Sequence, residues 1–409
     1  MTIQLASDVS VRLVRESTTG TAALVGATPC HVIRMTDSPG LELKRAQVQS
    51  KELRNDLTST LMRLAGKSVD GSYNGELTVG GATDMIIESV MRSTWVAAST
   101  PKFTCDAGAA HTSLAFTANT VTLAGTDTWA TTHGVRVGDV CYCGAVGATI
   151  DNIKFMVASI DATDKIITTV GSPLAVVGAD TNATFNVLKK VTTPTTPTRY
   201  SHTIEQYDEN TDLSELYLGC RVTGFRLSAK PGEMATWGAT FMGMDRTILV
   251  VGTSPWFTTP TTTTGLGLIA DDSTAWFNAA AAVNITGFDL DFAIGATTLP
   301  ILGTFVSPDV FDNIMTVKGS ITGARTGSAN DTLFDAETEF NLGLLLQEPG
   351  DVPRGALGVF LPRVKIASLA KPAGGSTGPK IETMAIEAAV KVAATGYDAT
   401  IANFTSSAA

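Results

Sequence analysis

Two short stretches of the sequence share one pattern and decide the fold. Residues 69–75 read Val-Asp-Gly-Ser-Tyr-Asn-Gly, and residues 317–323 read Val-Lys-Gly-Ser-Ile-Thr-Gly. A segment with helix character follows each of them, near Asp84 in the first case and near Asp331 in the second. An internal repeat of this kind indicates that the chain contains two copies of one structural unit.

A second pair of matching stretches occurs in the same order. Residues 221–232 run from Arg-Val through Leu to Lys-Pro-Gly, and residues 363–372 run from Arg-Val through Leu to Lys-Pro. The interval from Val69 to the first stretch is 152 residues, and the interval from Val317 to the second is 46. The difference of 106 residues predicts an insertion in the first copy, between about residue 100 and residue 197.

Apolar residues alternate with polar or small ones in several segments, at residues 235–241, 288–292 and 384–392. This period of two is typical of half-buried antiparallel strands. The last segment has the Ala, Glu and Lys content of a helix, but its even-numbered apolar set favours a strand. In residues 288–292 the alternation places Asp289 and Asp291 opposite a buried row of Phe, Leu and Phe.

Helices are predicted to be few and short. Thr83 or Asp84 is a candidate N-cap for one helix with a wide apolar stripe. Asn330 or Asp331 begins a second candidate, which would carry Leu333, Phe334 and Phe340, and residues 53–64 form a weaker third.

Tracts rich in Thr and Pro at residues 192–198 and 258–265 cannot be central strands, so we interpret them as extended connectors. The fold class expected is mainly β, with two tandem sandwich or barrel units that each hold a short helix and a small β-domain inserted in the first unit. The predicted division is 1–101 for the N-terminal part of the first unit, 102–197 for the inserted domain, 198–255 for the rest of the first unit, 256–280 for a connector and 281–409 for the second unit.

Composition excludes several classes of protein. The 409 residues include 39 acidic and 29 basic side chains, and a net charge of −10 argues against binding nucleic acid by counterion release. No apolar run reaches the roughly 20 residues that span a bilayer, so no membrane association is expected. Residues 1–10 lack a signal peptide, which predicts synthesis in a cytoplasm.

Catalytic, cofactor and metal sites are not predicted, because no P-loop, dinucleotide-binding, nucleophile-elbow or zinc-protease motif occurs. Asp289 and Asp291 could in principle hold Mg²⁺ or Ca²⁺, but a solvated strand face is the favoured interpretation. Cys141 and Cys143 are expected on one face of a strand as buried thiols. The four histidines are interpreted as isolated residues, and they are His31, His111, His133 and His202.

Further motifs occur in a recognisable order. Residues 51–56 read Lys-Glu-Leu-Arg-Asn-Asp, and residues 71–77 read Gly-Ser-Tyr-Asn-Gly-Glu-Leu. Residues 81–88 read Gly-Ala-Thr-Asp-Met-Ile-Ile-Glu, residues 217–222 read Tyr-Leu-Gly-Cys-Arg-Val, and residues 361–365 read Leu-Pro-Arg-Val-Lys. In this order, the set resembles the major tail tube proteins of long, non-contractile-tailed bacteriophages. The resemblance covers most of the chain outside the predicted insertion.

The resemblance implies a structural virion protein that is made in the host bacterial cytoplasm and is not an enzyme. Its implied partners are other copies of itself, in a ring of three chains with pseudo-sixfold symmetry stacked into a tube, and the tape measure, tail terminator and distal tail proteins. Double-stranded DNA would pass through the lumen without specific binding, which suits an acidic wall. The inserted domain would point outward.

The same resemblance suggests which residues act in assembly. A contact between rings or subunits is assigned to Lys51, Glu52, Leu53, Arg54 and Asp56, although a solvated helix face explains these residues nearly as well. Asp289 and Asp291 are candidates to face the lumen. The alternative function is a β-rich adhesive or carbohydrate-binding protein, which would present exposed aromatics in a groove and could use the five tryptophans.

Overall fold

The computed structural model describes residues 8–27, 29–51, 62–147, 150–171, 173–250, 252–277, 280–281, 284–350, 354–374, 378–392 and 396–407. Within these residues the chain is mainly β and has two helices, which confirms the predicted fold class.

The elements between residues 9 and 187 come first in the chain. They are β1 (Val9–Arg15), β2 (Cys30–Val32), β3 (Gly40–Gln49), β4 (Met62–Glu76), α1 (Gly81–Met91), β5 (Ser99–Thr104), β6 (His111–Phe116), β7 (Thr120–Gly125), β8 (Val140–Gly144), β9 (Phe155–Ile160), β10 (Ile166–Thr169), β11 (Val177–Asp180) and β12 (Thr184–Val187).

The remaining elements follow. They are β13 (Lys189–Thr192), β14 (His202–Asp208), β15 (Leu213–Ala229), β16 (Thr236–Gly243), β17 (Asp245–Leu249), β18 (Ile269–Phe277), β19 (Ala280–Ala281), β20 (Ile285–Ala293), β21 (Ala296–Thr298), β22 (Val310–Asp312), β23 (Thr316–Ala324), α2 (Ala329–Asp335), β24 (Phe340–Gln347), β25 (Ala356–Ala370), β26 (Ile381–Ala388) and β27 (Asn403–Ser406).

One pattern of elements occurs twice along the chain. The series β3, β4, α1, β14, β15, β16 and β17 has the same order and pairing as the series β20, β23, α2, β24, β25, β26 and β27. In space, the first series gives the strand order β3–β4–β16–β15 and the second gives β20–β23–β26–β25. Strands β15 and β20 pair with each other, so the two groups form one sheet of eight strands.

A close contact at the same place in both groups strengthens the comparison. A Cβ atom on Gly71 would lie 2.0 Å from the carbonyl oxygen of Gly40, and one on Gly319 would lie 2.5 Å from that of Asp289. Real Cβ atoms do not approach so closely, so glycine is needed where β3 passes β4 and where β20 passes β23. The glycine shared by the two sequence stretches therefore has the same structural task twice.

The main core lies behind the eight-stranded sheet. Strands β1 and β14, with the first half of β15, cover it in the first half of the chain, and β18, β24 and the first half of β25 do so in the second. Helix α1 is buried along nearly its whole length in this core, whereas α2 has no buried residue. The two copies therefore differ in how completely their helices are covered.

The predicted alternation is confirmed on β16 and β20. Trp237, Phe241, Phe288, Leu290 and Phe292 are all at most 3% exposed. On β26 the prediction is correct only as far as Ala388, because residues 389–392 lie outside the strand and Val392 is 80% exposed.

The predicted helix starts need correction. Helix α1 begins at Gly81, and its N-cap is Gly80 instead of the predicted Thr83 or Asp84, because Gly80 and Gly81 adopt positive φ angles and form the turn into the helix. The Asp84 carboxylate accepts a hydrogen bond of 3.3 Å from the Gly80 N–H and so caps the helix from its first turn. Helix α2 begins at Ala329, and Phe340 lies in β24 instead of in α2.

Two other predicted segments also change. Residues 62–64 belong to β4 rather than to a helix, while residues 52–61 lie outside the described part of the chain. The segment predicted as a connector at 256–280 contains a strand, because β18 lies within it and pairs with β24. Residues 258–265, the second Thr/Pro tract, contain no strand. They run beside β2, where the Thr261 N–H donates a hydrogen bond to the carbonyl of Cys30.

Residues 99–187 form a separate sheet of eight strands, in the order β11–β6–β7–β10–β9–β8–β12–β5. It has its own apolar core, which includes the fully buried side chains of Trp129, Phe155 and Phe185. Its first strand, β5, pairs antiparallel with its last, β12, so the chain enters and leaves this sheet at neighbouring strands.

A further apolar cluster joins this sheet to the second half of the chain. On one side it contains Val140 and Met156, and on the other Trp276 and Phe360. A Cβ on Gly358 of β25 would come within 2.7 Å of side-chain atoms of both Val140 and Met156. The separate sheet is therefore packed directly against β25 instead of hanging from a flexible connector.

Candidate functional site

One face of the eight-stranded sheet is exposed and polar. Asp289 and Asp291 lie on it, because the intervening residues of β20 point into the core. We call this surface the polar face. Its charges are partly paired: Arg226 lies 3.2 Å from Asp289, and Lys318 on β23 lies 2.6 Å from Glu387 on β26.

The polar face carries charges of both signs with a small acidic excess. Cross-strand register places the following charged residues on it: the acidic Glu42, Asp70, Glu76, Asp289, Asp291 and Glu387, and the basic Lys44, Arg226, Lys318 and Lys365. A surface with such a composition does not attract phosphate groups strongly.

The eight-stranded sheet has two unpaired edges. Among the described residues, β4 is the only strand that pairs with β3, so the opposite edge of β3 is open. In the second half of β25, residues 365–370 pair with β26 on one side and with no described strand on the other. Open edges of this kind present backbone groups that can pair with another chain.

The open edges are also where the core is incompletely covered. Leu43 on β3 and Leu369 on β25 are only partly buried, although both pack against the main core. Their topological counterparts, Phe292 and Phe225, meet at the β15–β20 joint and are at most 1% exposed. The difference in burial arises because each joint strand has a neighbour that the edge strands lack.

Apolar side chains are exposed at the end of the molecule where β3 leads toward β4 and β20 toward β23. Strand β4 touches the β20–β23 connection there, since the Lys67 N–H donates a 2.7 Å hydrogen bond to the carbonyl of Phe305. We call this surface the apolar end, and its exposed members are Val48, Met62, Leu64, Leu299, Ile301, Leu302, Phe305, Phe311 and Ile314. Leu302 is fully exposed, and large apolar side chains exposed in this way are candidates for contact with a partner.

The predicted contact segment continues from the apolar end. Lys51 is exposed just beyond β3, while Glu52, Leu53, Arg54 and Asp56 lie outside the described residues. The distal parts of β3 and β4 that lead to this segment are exposed on both faces of the hairpin.

The tryptophans do not form the groove that an adhesive protein would need. Trp129, Trp237 and Trp276 are at most 3% exposed, and Trp95 and Trp256 are partly buried. The indole N–H of Trp256 donates to the carbonyl of Ala23. The aromatic content thus belongs mainly to cores.

The cysteines behave as predicted, and two of the histidines do not. All five cysteines are free and buried, and burial raises the pKa of Cys141 and Cys143 above the usual thiol value. The prediction that the histidines are isolated is wrong for His111 and His133, which meet beside Asp127. No local sequence pattern signals this cluster, because its members come together through a hairpin and a long loop.

No helix in the described part of the chain combines the length and apolar character needed to cross a membrane. A search of curated proteins gave no match. A family model described as "Phage tail tube protein" matches residues 6–388, which is nearly the whole chain. The chain therefore belongs to the phage tail tube protein family.

Proposed function

We propose that this chain assembles head to tail into rings, which stack into the tail tube and form the conduit for genome ejection. Family membership makes the chain a structural component of the phage virion and implies that it associates with itself. The observation that carries the proposal is the β15–β20 joint, because it repeats inside one chain the contact that the two open edges offer between chains.

The joint specifies how two chains would pair. Rows of facing residues run across each group of strands: Leu41–Gly71–Phe241–Val222 in the first and Leu290–Gly319–Ile386–Ile366 in the second. In the joint, Phe225 faces Phe292. By the same correspondence, Leu369 on the open edge of β25 would face Leu43 on β3 of the next chain, and both half-buried leucines would become buried.

A contact between two different edges is heterologous, so it repeats from chain to chain and closes into a ring when the rotation allows. We propose three chains in each ring, with six copies of one unit related by pseudo-sixfold symmetry. The sequence predicts a first unit of residues 1–101 and 198–255 with an insertion at 102–197. We assign residues 99–187 to the inserted domain instead, because β13 pairs with β27 of the main sheet. We place the start of the second unit at Ile269 instead of the predicted 281, because β18 pairs with β24 as β1 pairs with β14.

The polar face would line the lumen, with Asp289 and Asp291 among the residues that DNA passes. The mixed charge with an acidic excess supports this orientation, since a wall rich in Lys and Arg would hold the phosphate backbone. The tape measure protein would occupy the same lumen before ejection, and the tail terminator and distal tail proteins would bind the two ends of the tube.

The apolar end would contact the next ring. Its exposed side chains lie at an end of the strands, and the strand direction runs across the plane of a ring closed by strand pairing. We assign the segment 51–56, which continues the chain from β3, to the same contact. Burial of an apolar surface at about 25 cal/mol per Å² would favour the stacking of rings.

Disulfide cross-linking tests the assembly. Directly facing residues in an antiparallel pair have Cα atoms about 4.5–5.5 Å apart, which suits a disulfide. The double variant Leu43→Cys and Leu369→Cys should form covalent multimers on oxidation, ending at the closed ring. The single variants and the mismatched pair Leu43→Cys with Lys365→Cys should not. Equal cross-linking by matched and mismatched pairs, or a monomer under conditions where tubes form, would refute the proposed contact.

A further inference from the structure

Two histidines and an aspartate meet at one end of the separate eight-stranded sheet. His111 Nδ1 lies 2.9 Å from Asp127 Oδ2, and His133 Nε2 lies 3.3 Å from the same oxygen. The ligand atoms of all three side chains lie within 4.8 Å of one another. These are nitrogen and oxygen donors of the kind that divalent transition metals prefer.

A glycine brings Asp127 next to His111. Gly125 faces His111 across the β6–β7 hairpin and has a φ of 110°. A Cβ at Gly125 would lie 2.1 Å from the carbonyl oxygen of Ala110, so the tight path of the chain requires glycine there. Beyond this residue, the N–H of Asp127 donates a 3.1 Å hydrogen bond to the same Ala110 oxygen. The carboxylate is thereby held beside the imidazole of His111.

The loop that carries His133 is fixed independently. The Asp164 carboxylate accepts hydrogen bonds of 2.7 Å from Ala130 N–H and 2.9 Å from Thr131 N–H. The N–H of His133 donates to the carbonyl of Thr128 at 3.1 Å. Its ring stacks on Phe103 with 4.3 Å between ring centroids. A backbone and a ring held in this way provide a preorganised donor.

The imidazole of His133 is suited to coordination. Its side chain is 9% exposed, and within the described residues its buried Nε2 has no hydrogen-bond partner of suitable geometry. A buried ring nitrogen that lacks a hydrogen-bond partner is available to coordinate a metal ion.

The spacing also matches a metal. With metal–ligand distances of about 2.0–2.1 Å, neighbouring donors of a tetrahedral zinc site lie about 3.4 Å apart. The pair His133 and Asp127 already has this separation. The pair His111 and Asp127 is now closed by a hydrogen bond and would open by about half an ångström.

We propose that His111, Asp127 and His133 form a binding site for a divalent transition metal, with Zn²⁺ as the preferred ion and water as a further ligand. The side chains of His111 and Asp127 are 24% and 17% exposed, which leaves an approach from solvent. The bound ion would link the start of β6 to the loop at residues 126–135. Since the ion would bind the folded domain and not the unfolded chain, it would stabilise this domain.

Cobalt titration of the full-length protein, after chelator treatment and dialysis, tests the site. We expect one Co²⁺ per chain, with visible absorption bands typical of nitrogen and oxygen ligands and displacement of Co²⁺ by Zn²⁺. A strong near-ultraviolet thiolate band would instead assign the binding to cysteine and overturn the proposal. Absence of any Co²⁺ binding by the folded protein would do the same.

Variants sharpen the test. Loss of an outer partner of a metal ligand typically weakens metal binding about 10–100-fold, so His133→Gln or Asp127→Asn should weaken it at least about 100-fold. The control His31→Gln, which changes a histidine on β2, should bind as the unaltered protein does. Unchanged binding by a folded His133→Gln variant would refute the assignment. If the variants do not fold, X-ray absorption of the zinc-loaded unaltered protein decides, since sulfur in the coordination shell would refute the site.

Discussion

Replacement of Trp276 by alanine should weaken the packing of the separate sheet, residues 99–187, against the second half of the chain. Trp276 is 0% exposed and belongs to the cluster that joins the two parts. Its ring covers Gly343 so closely that a Cβ there would lie 2.5 Å from the indole, and it packs 5.8 Å from Phe360 between ring centroids. Alanine would leave most of this space empty.

The expected loss follows from buried area. A tryptophan side chain buries about 150–250 Å², which corresponds to about 4–6 kcal/mol at 25 cal/mol per Å². Alanine keeps a small part of this, so Trp276→Ala should lower the free energy of unfolding by about 3–5 kcal/mol. Trp276→Phe should lose much less, because the indole N–H has no hydrogen-bond partner among the described residues.

Two measurements check this prediction. Urea unfolding followed by circular dichroism should show the loss for Trp276→Ala and a small change for Trp276→Phe. Trypsin should also cleave Trp276→Ala faster than the unaltered protein after Arg199. This residue is about half exposed and follows the Thr/Pro tract at 192–198. A loss below about 1 kcal/mol together with unchanged cleavage would refute the claim that this cluster holds the sheet in place.

Three further predictions concern the main body. Burial of His202, aided by the charge of Arg15, lowers its pKa from 6.5 to about 3, so its contribution to the free energy of unfolding is complete above pH 6.5 and decreases as the pH falls. About 2 kcal/mol should be lost by pH 5. The urea midpoint of a His202→Asn variant should therefore depend less on pH, and an unchanged pH dependence would refute the assignment. Glu205 is fully buried and accepts hydrogen bonds from the N–H groups of residues 256–257. Glu205→Gln should therefore lower the free energy of unfolding, measured in urea, by about 2–4 kcal/mol. Glu209→Gln changes an exposed residue and should have little effect, and equal effects of the two variants would contradict this account. Gly319→Val should lower the free energy of unfolding, measured by thermal unfolding, by about 2–3 kcal/mol, because a Cβ atom there would collide with the carbonyl oxygen of Asp289 on β20. An unchanged free energy of unfolding would show that the two strands can separate at this point.

The strands could be predicted from sequence where the pattern is local. Burial of every second residue follows directly from strand geometry, and this explains the success for residues 235–241 and 288–292. Helix α1 was predictable from its apolar stripe, but its first residue depends on the positive φ angles at Gly80 and Gly81. Such a turn is not visible as a side-chain pattern.

The internal repeat was predictable, but its alignment was not. The sequence pairs Arg221-Val222 with Arg363-Val364, whereas strand register pairs them with Lys365-Ile366. A shift of two residues keeps every side chain on its face of the sheet, so the apolar pattern cannot detect the error. Both strands have an irregularity after this pair, and only the register reveals that it is shared.

The histidine cluster was not predictable for a different reason. His111 begins β6 of the separate sheet, whereas His133 lies in the loop that follows β7. They meet because Gly125 turns the chain sharply and because Asp164 holds residues 130–131 of that loop. Each of these contacts is a tertiary one. A pattern search that looks for metal ligands at short spacing passes over such a site.

The pairing of β5 with β12 places the two ends of the separate sheet, residues 99–187, next to each other, so we expect this sheet to be exchangeable. Because the chain leaves and returns at adjacent strands, the tube unit only has to accommodate two neighbouring attachment points, and a different domain with close termini could be grafted there. The replacement domain must also bury Trp276 and Phe360, because these side chains would otherwise form an exposed apolar surface that promotes aggregation. The same attachment points would allow a cargo domain to be displayed at regular intervals along an assembled tube.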